Sequence, residues 1–249
     1  MKYLKIIILP IIFLIGEFLI NYIFVSYFNY KYYANTDFIS IINTIEYQNK
    51  LNTFINNNTL LIIFITGIIF IPVFYLLYKK YKIINKLKFN YVIKYILLGV
   101  LLSTTYNLYL SLIIDYKVSK LPILVQIISS GIIGPVIEEL LFRGIIYNKL
   151  KEFNNTNKAM IISTIIFSLV HLNIIDMIYT LFVGYILVNI YNKHNNLKYP
   201  IILHISLNIS VIILGLIIPI SYIVNIILFS ICILILFLLC LKIKKTHLN

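Results

Sequence analysis

Two adjacent carboxylates and an arginine interrupt an apolar stretch of the chain, Glu138-Glu139-Leu140-Leu141-Phe142-Arg143. Ionised side chains inside a membrane cost several kcal/mol each, so they indicate a functional site that faces the protein interior. On a helix, Glu139 and Arg143 lie four residues apart on one face, where they can form an ion pair. Glu138 is rotated by about 100° from Glu139, so one carboxylate can be structural while the other serves chemistry.

Two further polar patterns lie in apolar stretches downstream, Phe167 with His171 and His204 with Asn208. At about 1.5 Å per residue from the predicted inner helix ends, Glu138 lies about 16 Å deep and His171 about 18 Å deep. The corresponding depths are about 6 Å for His204 and about 12 Å for Asn208. The sequence therefore predicts that four polar side chains from three helices meet in the cytoplasmic half of the membrane or near its midplane.

Hydrolysis of a peptide bond would use this set of side chains. Glu138 can deprotonate a water molecule, and His171 can share the proton. His204 and Asn208 can donate hydrogen bonds to the oxyanion of the tetrahedral intermediate. The alternative is a zinc ion bound by Glu138, His171 and His204, with one position left for water. Because Glu138 as a ligand would leave no evident base, we expect no metal and no other cofactor.

The composition is that of a membrane protein. Of 249 residues, 61% are hydrophobic and 12% are charged, whereas a soluble domain has about 25% charged residues. The net charge of +13 would suggest nucleic acid in a soluble chain, but here the lysines cluster between apolar spans. We therefore predict the lipid bilayer and a peptide or protein substrate as partners, and no nucleic acid.

Apolar runs of about twenty residues predict an all-α, polytopic bundle of about eight transmembrane helices. The predicted spans are about 4–28, 59–78, 91–114, 121–148, 159–175, 177–192, 200–217 and 219–241. We predict one integral-membrane domain over 1–249, in which 121–216 is the motif-bearing core and 1–115 holds accessory helices. The segment from about 30 to 58 is predicted as an outer loop with a short interfacial helix near Phe38–Ile45.

The distribution of lysines predicts the orientation. With the N-terminus inside, the inner segments carry fifteen lysines and the outer segments carry four. This asymmetry predicts that both termini lie in the cytoplasm of the cell, because inner loops are enriched in Lys and Arg. The inner lysines are Lys2, Lys5, Lys79, Lys80, Lys82, Lys86, Lys88, Lys149, Lys151, Lys158, Lys193, Lys198, Lys242, Lys244 and Lys245.

The three patterns occur in a fixed order: Glu-Glu-x-x-x-Arg from Glu138, Phe-x-x-x-His from Phe167 and His-x-x-x-Asn from His204. This order resembles the CPBP family, which comprises the CAAX prenyl proteases and the Abi-type bacteriocin-processing or self-immunity proteins. The resemblance covers about Leu121 to Leu216. It implies an eight-helix intramembrane bundle with endopeptidase activity.

Carried over by position, the resemblance assigns a role to each matching residue. It implies Glu138 as catalytic base and His171 as its partner on the water. His204 and Asn208 would stabilise the oxyanion, and Glu139 and Arg143 would form a structural pair, with Phe167 as further support. The residue usage is typical of an AT-rich genome and suggests a bacterial chain. The family's eukaryotic members act on prenylated cysteines, so their substrate does not carry over to such a chain.

Two other functions use the same residues. The chain could be a non-enzymatic immunity or scaffold protein with the same bundle, or, less favoured, a transporter with Glu138 and His171 as a proton relay. Outside the motifs, Glu17 in the first span is expected to be a packing or boundary residue. Gly131, Gly134 and Pro135, just before the glutamates, are expected to kink the fourth span or to allow close helix contact.

Overall fold

The computed structural model describes residues 3–34, 38–82, 85–113, 121–216 and 224–234, and every regular element in these ranges is helical. The predicted all-α class is therefore confirmed. The helices are α1 (Leu4–Tyr33), α2 (Phe38–Ile41), α3 (Ile45–Tyr78), α4 (Phe89–Ile113), α5 (Ile123–Lys151), α6 (Thr156–Leu169), α7 (Ile174–His194), α8 (Lys198–Leu214) and α9 (Val224–Leu234). A short 3-10 turn, Lys79–Tyr81, follows α3.

Among the described residues, five helices are long and apolar enough to cross a membrane: α1, α3, α4, α5 and α7. Helices α6, α8 and α9 are shorter and apolar. Large apolar side chains such as Phe18, Ile68 and Leu97 are more than 60% exposed on the outside of these helices. Such surface is suited to lipid, so the chain is a multi-pass membrane protein. Of the predicted last span, 219–241, residues 224–234 are helical and the remainder lies outside the described residues.

The chain divides into two compact units. The first comprises Met1–Ile84 and Val136–Leu197, and it contains α1, α2, α3, the second part of α5, α6 and α7. The second comprises Asn85–Pro135 and Lys198–Asn249, and it contains α4, the first part of α5, α8 and α9. The predicted single domain over 1–249 stays a prediction.

Helix α3 begins at Ile45, well before the start predicted at 59, so the prediction of a loop up to residue 58 is wrong. The Thr44 side chain caps the helix by accepting a hydrogen bond from the Tyr47 backbone N–H at 3.3 Å. The Tyr47 side chain is buried against the ring of Phe28 and donates a hydrogen bond to Asn29 Oδ1 at 2.7 Å. A cap and an aromatic contact with α1 thus extend the helix beyond the apolar window that predicted it.

Helix α6 ends at Leu169, whereas the sequence predicted a span to residue 175. The next helix begins at Ile174, where the Asn173 side chain accepts a hydrogen bond from the Ile175 N–H at 2.9 Å. This cap starts the second helix a few residues before the break that the sequence predicted between 175 and 177. The predicted position of His171 on a helix is therefore wrong, because His171 lies in the turn between α6 and α7.

Candidate active site

Helix α5 is irregular on both sides of the two glutamates. Ile127–Ile133 and Leu140–Tyr147 are π-helical, and Gly134–Glu139 between them is α-helical. The Gly134 N–H donates to the Ser129 carbonyl five residues earlier, and Pro135 has no N–H to continue the α-helical pattern. The irregularity expected from Gly134 and Pro135 thus takes the form of π-helix, which occurs frequently at functional sites.

Side chains supply donors to backbone carbonyls in the second π-helical segment. Asn148 Nδ2 donates to the Gly144 carbonyl at 2.8 Å, and Ser163 Oγ on α6 donates to the Phe142 carbonyl at 3.3 Å. Asn148 Nδ2 also lies 2.8 Å from Tyr191 Oη on α7. A buried carbonyl without a donor is costly, so Asn148 and Ser163 stabilise the widened helix beside the glutamates.

Glu139 and Arg143 form the predicted ion pair. Arg143 Nη1 donates to Glu139 Oε1 at 2.7 Å, and the two side chains are at most 1% exposed. Arg143 Nη2 donates to the Gly184 carbonyl on α7 at 3.1 Å. The guanidinium carbon lies 4.1 Å from the centre of the Phe167 ring on α6, within the range of a cation–π contact. One arginine therefore joins α5, α6 and α7.

Gly184 is a site residue that the sequence analysis missed. A Cβ atom at this position would lie 2.8 Å from Phe167 Cδ1, 3.3 Å from Thr164 Cγ2 and 3.5 Å from Arg143 Nη2. Only a residue without a side chain lets the α7 backbone approach close enough for its carbonyl to reach Arg143. The only sign of this contact in the sequence was a glycine within an apolar span. That glycine did not indicate which helices pack against α7.

His171 occupies the turn between α6 and α7, next to Phe167. Its Nδ1 atom lies 3.0 Å from the Phe167 carbonyl, and the imidazole ring meets the Phe167 ring edge-on at 5.0 Å. Because a carbonyl can only accept, this contact is a hydrogen bond when Nδ1 carries the proton, and Nε2 is then an acceptor. Leu172, the next residue, has a left-handed φ of 57°, which is uncommon for a bulky residue.

Glu138 is half-buried in the α-helical part of α5, directly before the ion pair. Its charge interacts with that of Arg143 and with that of Glu17 on α1. The first unit thus contains Glu138, Glu139, Arg143, Phe167 and His171, which come from two of the three predicted motifs, and contacts link the last four of them.

The second unit holds the third motif. His204 on α8 is 5% exposed, and Asn208 Nδ2 donates to the Ser130 carbonyl in the first π-helical segment at 2.8 Å. Helix α8 lies close to α4, where a Cβ atom at Gly99 would be 2.8 Å from the Leu203 carbonyl oxygen. These contacts fix α8 within its own unit. A meeting of His204 and Asn208 with Glu138 and His171 stays a prediction.

The sequence offers Glu138, His171 and His204 as the ligands of an alternative zinc site. In the part of the chain that the structure describes, no group of three or more His, Cys, Asp or Glu side chains is placed to hold a metal ion. Glu138 and His171 belong to the first unit and His204 belongs to the second, so the zinc alternative stays a prediction.

The chain is similar to known proteins over its central part. Residues 120–210 match the family described as "Type II CAAX prenyl endopeptidase Rce1-like". "Putative membrane peptidase YdiL" of Bacillus subtilis (strain 168) is 34% identical over 91 residues, which are 36% of this chain and 37% of that protein. "UPF0177 protein YxdF" of Lactococcus lactis subsp. lactis (strain IL1403) is 37% identical over 91 residues, which are 36% of this chain and 50% of that protein.

The matched segments thus span between about a third and a half of the curated relatives' length. No solved structure matches the chain. All seven residues of the three motifs lie inside the segment that matches the family. Over this segment, the chain is similar to the family of Rce1-like type II CAAX prenyl endopeptidases.

Proposed function

We propose that the protein is an intramembrane endopeptidase that hydrolyses a peptide bond of a membrane-associated protein or peptide. The observation that carries this proposal is the buried pair of Glu139 and Arg143. Because Arg143 neutralises Glu139, the adjacent Glu138 can present a carboxylate from a different side of the helix. The segment that matches the endopeptidase family supports the same conclusion. So does His171, which lies in the same unit as Glu138.

In the proposed reaction, the Glu138 carboxylate takes a proton from a water molecule as the water oxygen bonds to the substrate carbonyl carbon. In the tautomer that carries the proton on Nδ1, facing the Phe167 carbonyl, His171 accepts a hydrogen bond from this water through Nε2. His204 and Asn208 donate hydrogen bonds to the resulting oxyanion. The C–N bond then breaks, and the proton held by Glu138 passes to the leaving amine.

The proposed arrangement in the membrane has eight spanning helices and both termini in the cytoplasm. Tyr3 Oη donates to Asn154 Oδ1 at 2.8 Å, and Tyr81 Oη donates to Glu152 Oε1 at 2.5 Å. These bonds support one common side for the start of α1 and the ends of α3 and α5. Three of the lysine-rich segments adjoin these ends, so we propose that this side is cytoplasmic.

The proposal is tested by comparing protein termini in bacterial membranes that contain the wild-type chain, Glu138→Gln or Glu46→Gln. Glu46 is an exposed carboxylate on α3 and provides the matched control. Mass spectrometry of the membrane fraction is expected to find new peptide termini with the wild type and Glu46→Gln. The same termini should be missing with Glu138→Gln at equal expression. Their full retention in Glu138→Gln would contradict the assignment of the base.

A further inference from the structure

Helices α1 and α3 are longer than the membrane requires. They contain 30 and 34 residues, so they extend over about 45 and 51 Å, whereas a hydrocarbon core is about 30 Å thick. The end of α1 packs against the start of α3 through Phe28 and Tyr47. Residues 46–58 of α3 are mostly polar, while the helix is apolar from Leu60 onward. The paired ends therefore project from the hydrocarbon into the layer of lipid headgroups.

The projecting ends of α1 and α3 enclose a cavity of about 570 Å³, a volume within the usual range for small-molecule sites. Its aromatic wall includes Phe28 of α1 and Phe54 of α3, whose ring centres are 5.3 Å apart. Its polar wall is one face of α3, because Asn49, Thr53 and Asn57 follow each other at intervals of four residues. An aromatic surface thus faces a row of amide and hydroxyl groups.

The charged side chain that lines the cavity is a cation, Lys50. Its Nζ atom pairs with Glu46 Oε1 at 2.7 Å, and the side chain is 57% exposed. Lys31, at the end of α1, lies 5.1 Å from the centre of the Tyr32 ring, which also lines the cavity. None of the described residues that line the cavity is acidic. The positive charge at this cavity favours an anionic ligand.

The hydrogen-bonding groups of the cavity fit a phosphate ester. An ammonium group has three hydrogens to donate, so Lys50 can bind a phosphate oxygen as well as Glu46. The side-chain amides of Asn49 and Asn57 are further donors on the same face of α3. At the depth of the headgroups, a phosphate ester that is joined to an apolar tail is an anionic phospholipid.

We propose that the cavity between α1 and α3 binds the headgroup of an anionic phospholipid, whose phosphate accepts hydrogen bonds from Lys50 and the neighbouring amides. The acyl chains follow exposed apolar side chains on the membrane side of the cavity, such as Ile23 of α1 and Leu61 of α3. Free phosphate shares the same chemistry, but the aromatic wall and the depth of the cavity favour the lipid. This binding does not depend on peptidase activity.

Photo-crosslinking of the full chain in phosphatidylcholine nanodiscs tests the site. The probe is a subsaturating phosphatidylglycerol with a photoreactive group at the start of one acyl chain, and mass spectrometry quantifies the labelled peptides. We expect label within residues 28–33 and 49–57, which an excess of unlabelled phosphatidylglycerol suppresses and inorganic phosphate does not. A phosphatidylcholine probe with the same reactive group should label these residues only at background level. Equal labelling by both probes overturns the anionic headgroup as the ligand, and suppression by inorganic phosphate overturns the lipid as its source.

Four substitutions separate the effects of charge and shape on this labelling. Lys50→Ala should lower the yield about fivefold, the usual contribution of one lysine near an anionic headgroup. Glu46→Gln removes the competing carboxylate and should raise the yield. Lys158→Ala, at an exposed lysine of α6, is the control and should leave it unchanged. Thr53→Trp fills the cavity without a change in charge and should abolish the label. Because Lys50 and Glu46 are exposed, their substitution should not impair folding. An unchanged yield in Lys50→Ala or in Thr53→Trp overturns the proposal.

Discussion

Two ion pairs of this protein share one geometry and differ in their surroundings. Glu139–Arg143 on α5 and Glu46–Lys50 on α3 both join residues four apart, and both have an N–O distance of 2.7 Å. The first pair is at most 1% exposed, whereas Lys50 is 57% and Glu46 is 76% exposed. The exposed charges are solvated by water in any conformation, while the buried charges depend on each other. Burial, and not the N–O distance, therefore determines how much each ion pair contributes to the stability of the fold.

The two pairs also differ in what they connect. The Glu46–Lys50 bond remains within the first turns of α3. Arg143 additionally binds the Gly184 carbonyl of α7 and contacts Phe167 of α6, whose carbonyl lies beside His171. The buried pair thus orders three helices around the candidate catalytic residues. Its loss should affect both folding and the geometry of the site.

The largest effect on stability is expected from breaking the buried pair. Arg143→Ala or Glu139→Ala leaves one charge without its partner in a dry interior, at a cost of about 3–5 kcal/mol. Lys50→Ala and Glu46→Ala are matched controls and should show no measurable change. Yield and thermal unfolding of the four purified variants in detergent measure these changes in stability. Equal stability of Arg143→Ala and Lys50→Ala would remove the distinction between the two pairs.

The next largest effect is expected on turnover, from the loss of the uncharged polar side chain of Asn208. Asn208→Ala removes a proposed oxyanion donor and should reduce turnover by about a hundredfold, as the loss of such a donor does in other hydrolases. Asn57→Ala, an exposed asparagine on α3, is the control and should retain full turnover. Steady-state cleavage of the identified substrate provides the comparison. A lower affinity for substrate with unchanged turnover would assign Asn208 to substrate binding.

The ion pair and the apolar helices could be predicted because they depend on local periodicity. A spacing of four residues places Glu139 beside Arg143 in any continuous helix, even where Arg143 enters a π-helical segment. The membrane spans follow from apolar runs alone. The roles of Glu138, His171, His204 and Asn208 were inferred from their chemistry and from the family resemblance, and they stay predictions.

The remaining features depend on contacts between helices, which a single sequence does not show. The sequence predicted a break between spans at 175–177, but the turn that contains His171 lies a few residues earlier, before the cap at Asn173. The second π-helical segment depends on Ser163 of α6 and Asn148 as donors.

Two glycines, Gly184 and Gly134, differ in the space that is available for a side chain. Gly184→Ala places a Cβ atom 2.8 Å from Phe167, and overpacking of this kind costs about 1–3 kcal/mol. A Cβ atom at Gly134 would have its nearest neighbour, the Ser129 carbonyl oxygen, at 3.5 Å, so Gly134→Ala should be tolerated. Thermal unfolding of the two variants, together with their cleavage rates, tests this order. The reverse order of stability would contradict the role of Gly184 as the point of closest helix approach.

The smallest effect is expected from the exposed cluster at the end of α5. The hydrogen bond from Tyr81 and the ion pair with Lys80 hold the pKa of the Glu152 carboxyl below its usual range. The resulting stabilisation is present above the unfolded pKa of about 4.3 and is lost as the pH falls through the lower folded value. Because solvent screens this carboxylate, it contributes at most about 1 kcal/mol.

Thermal unfolding of wild type and Glu152→Gln at neutral pH and near pH 3 is the measurement for this cluster. The small difference between the two proteins at neutral pH should disappear in acid, where the wild-type carboxyl is also protonated. Glu46→Gln, at a second exposed carboxylate, should show no measurable difference from the wild type at either pH. A Glu152→Gln effect as large as that of Arg143→Ala would show that an exposed polar cluster can hold helix ends as firmly as the buried pair holds α5, α6 and α7.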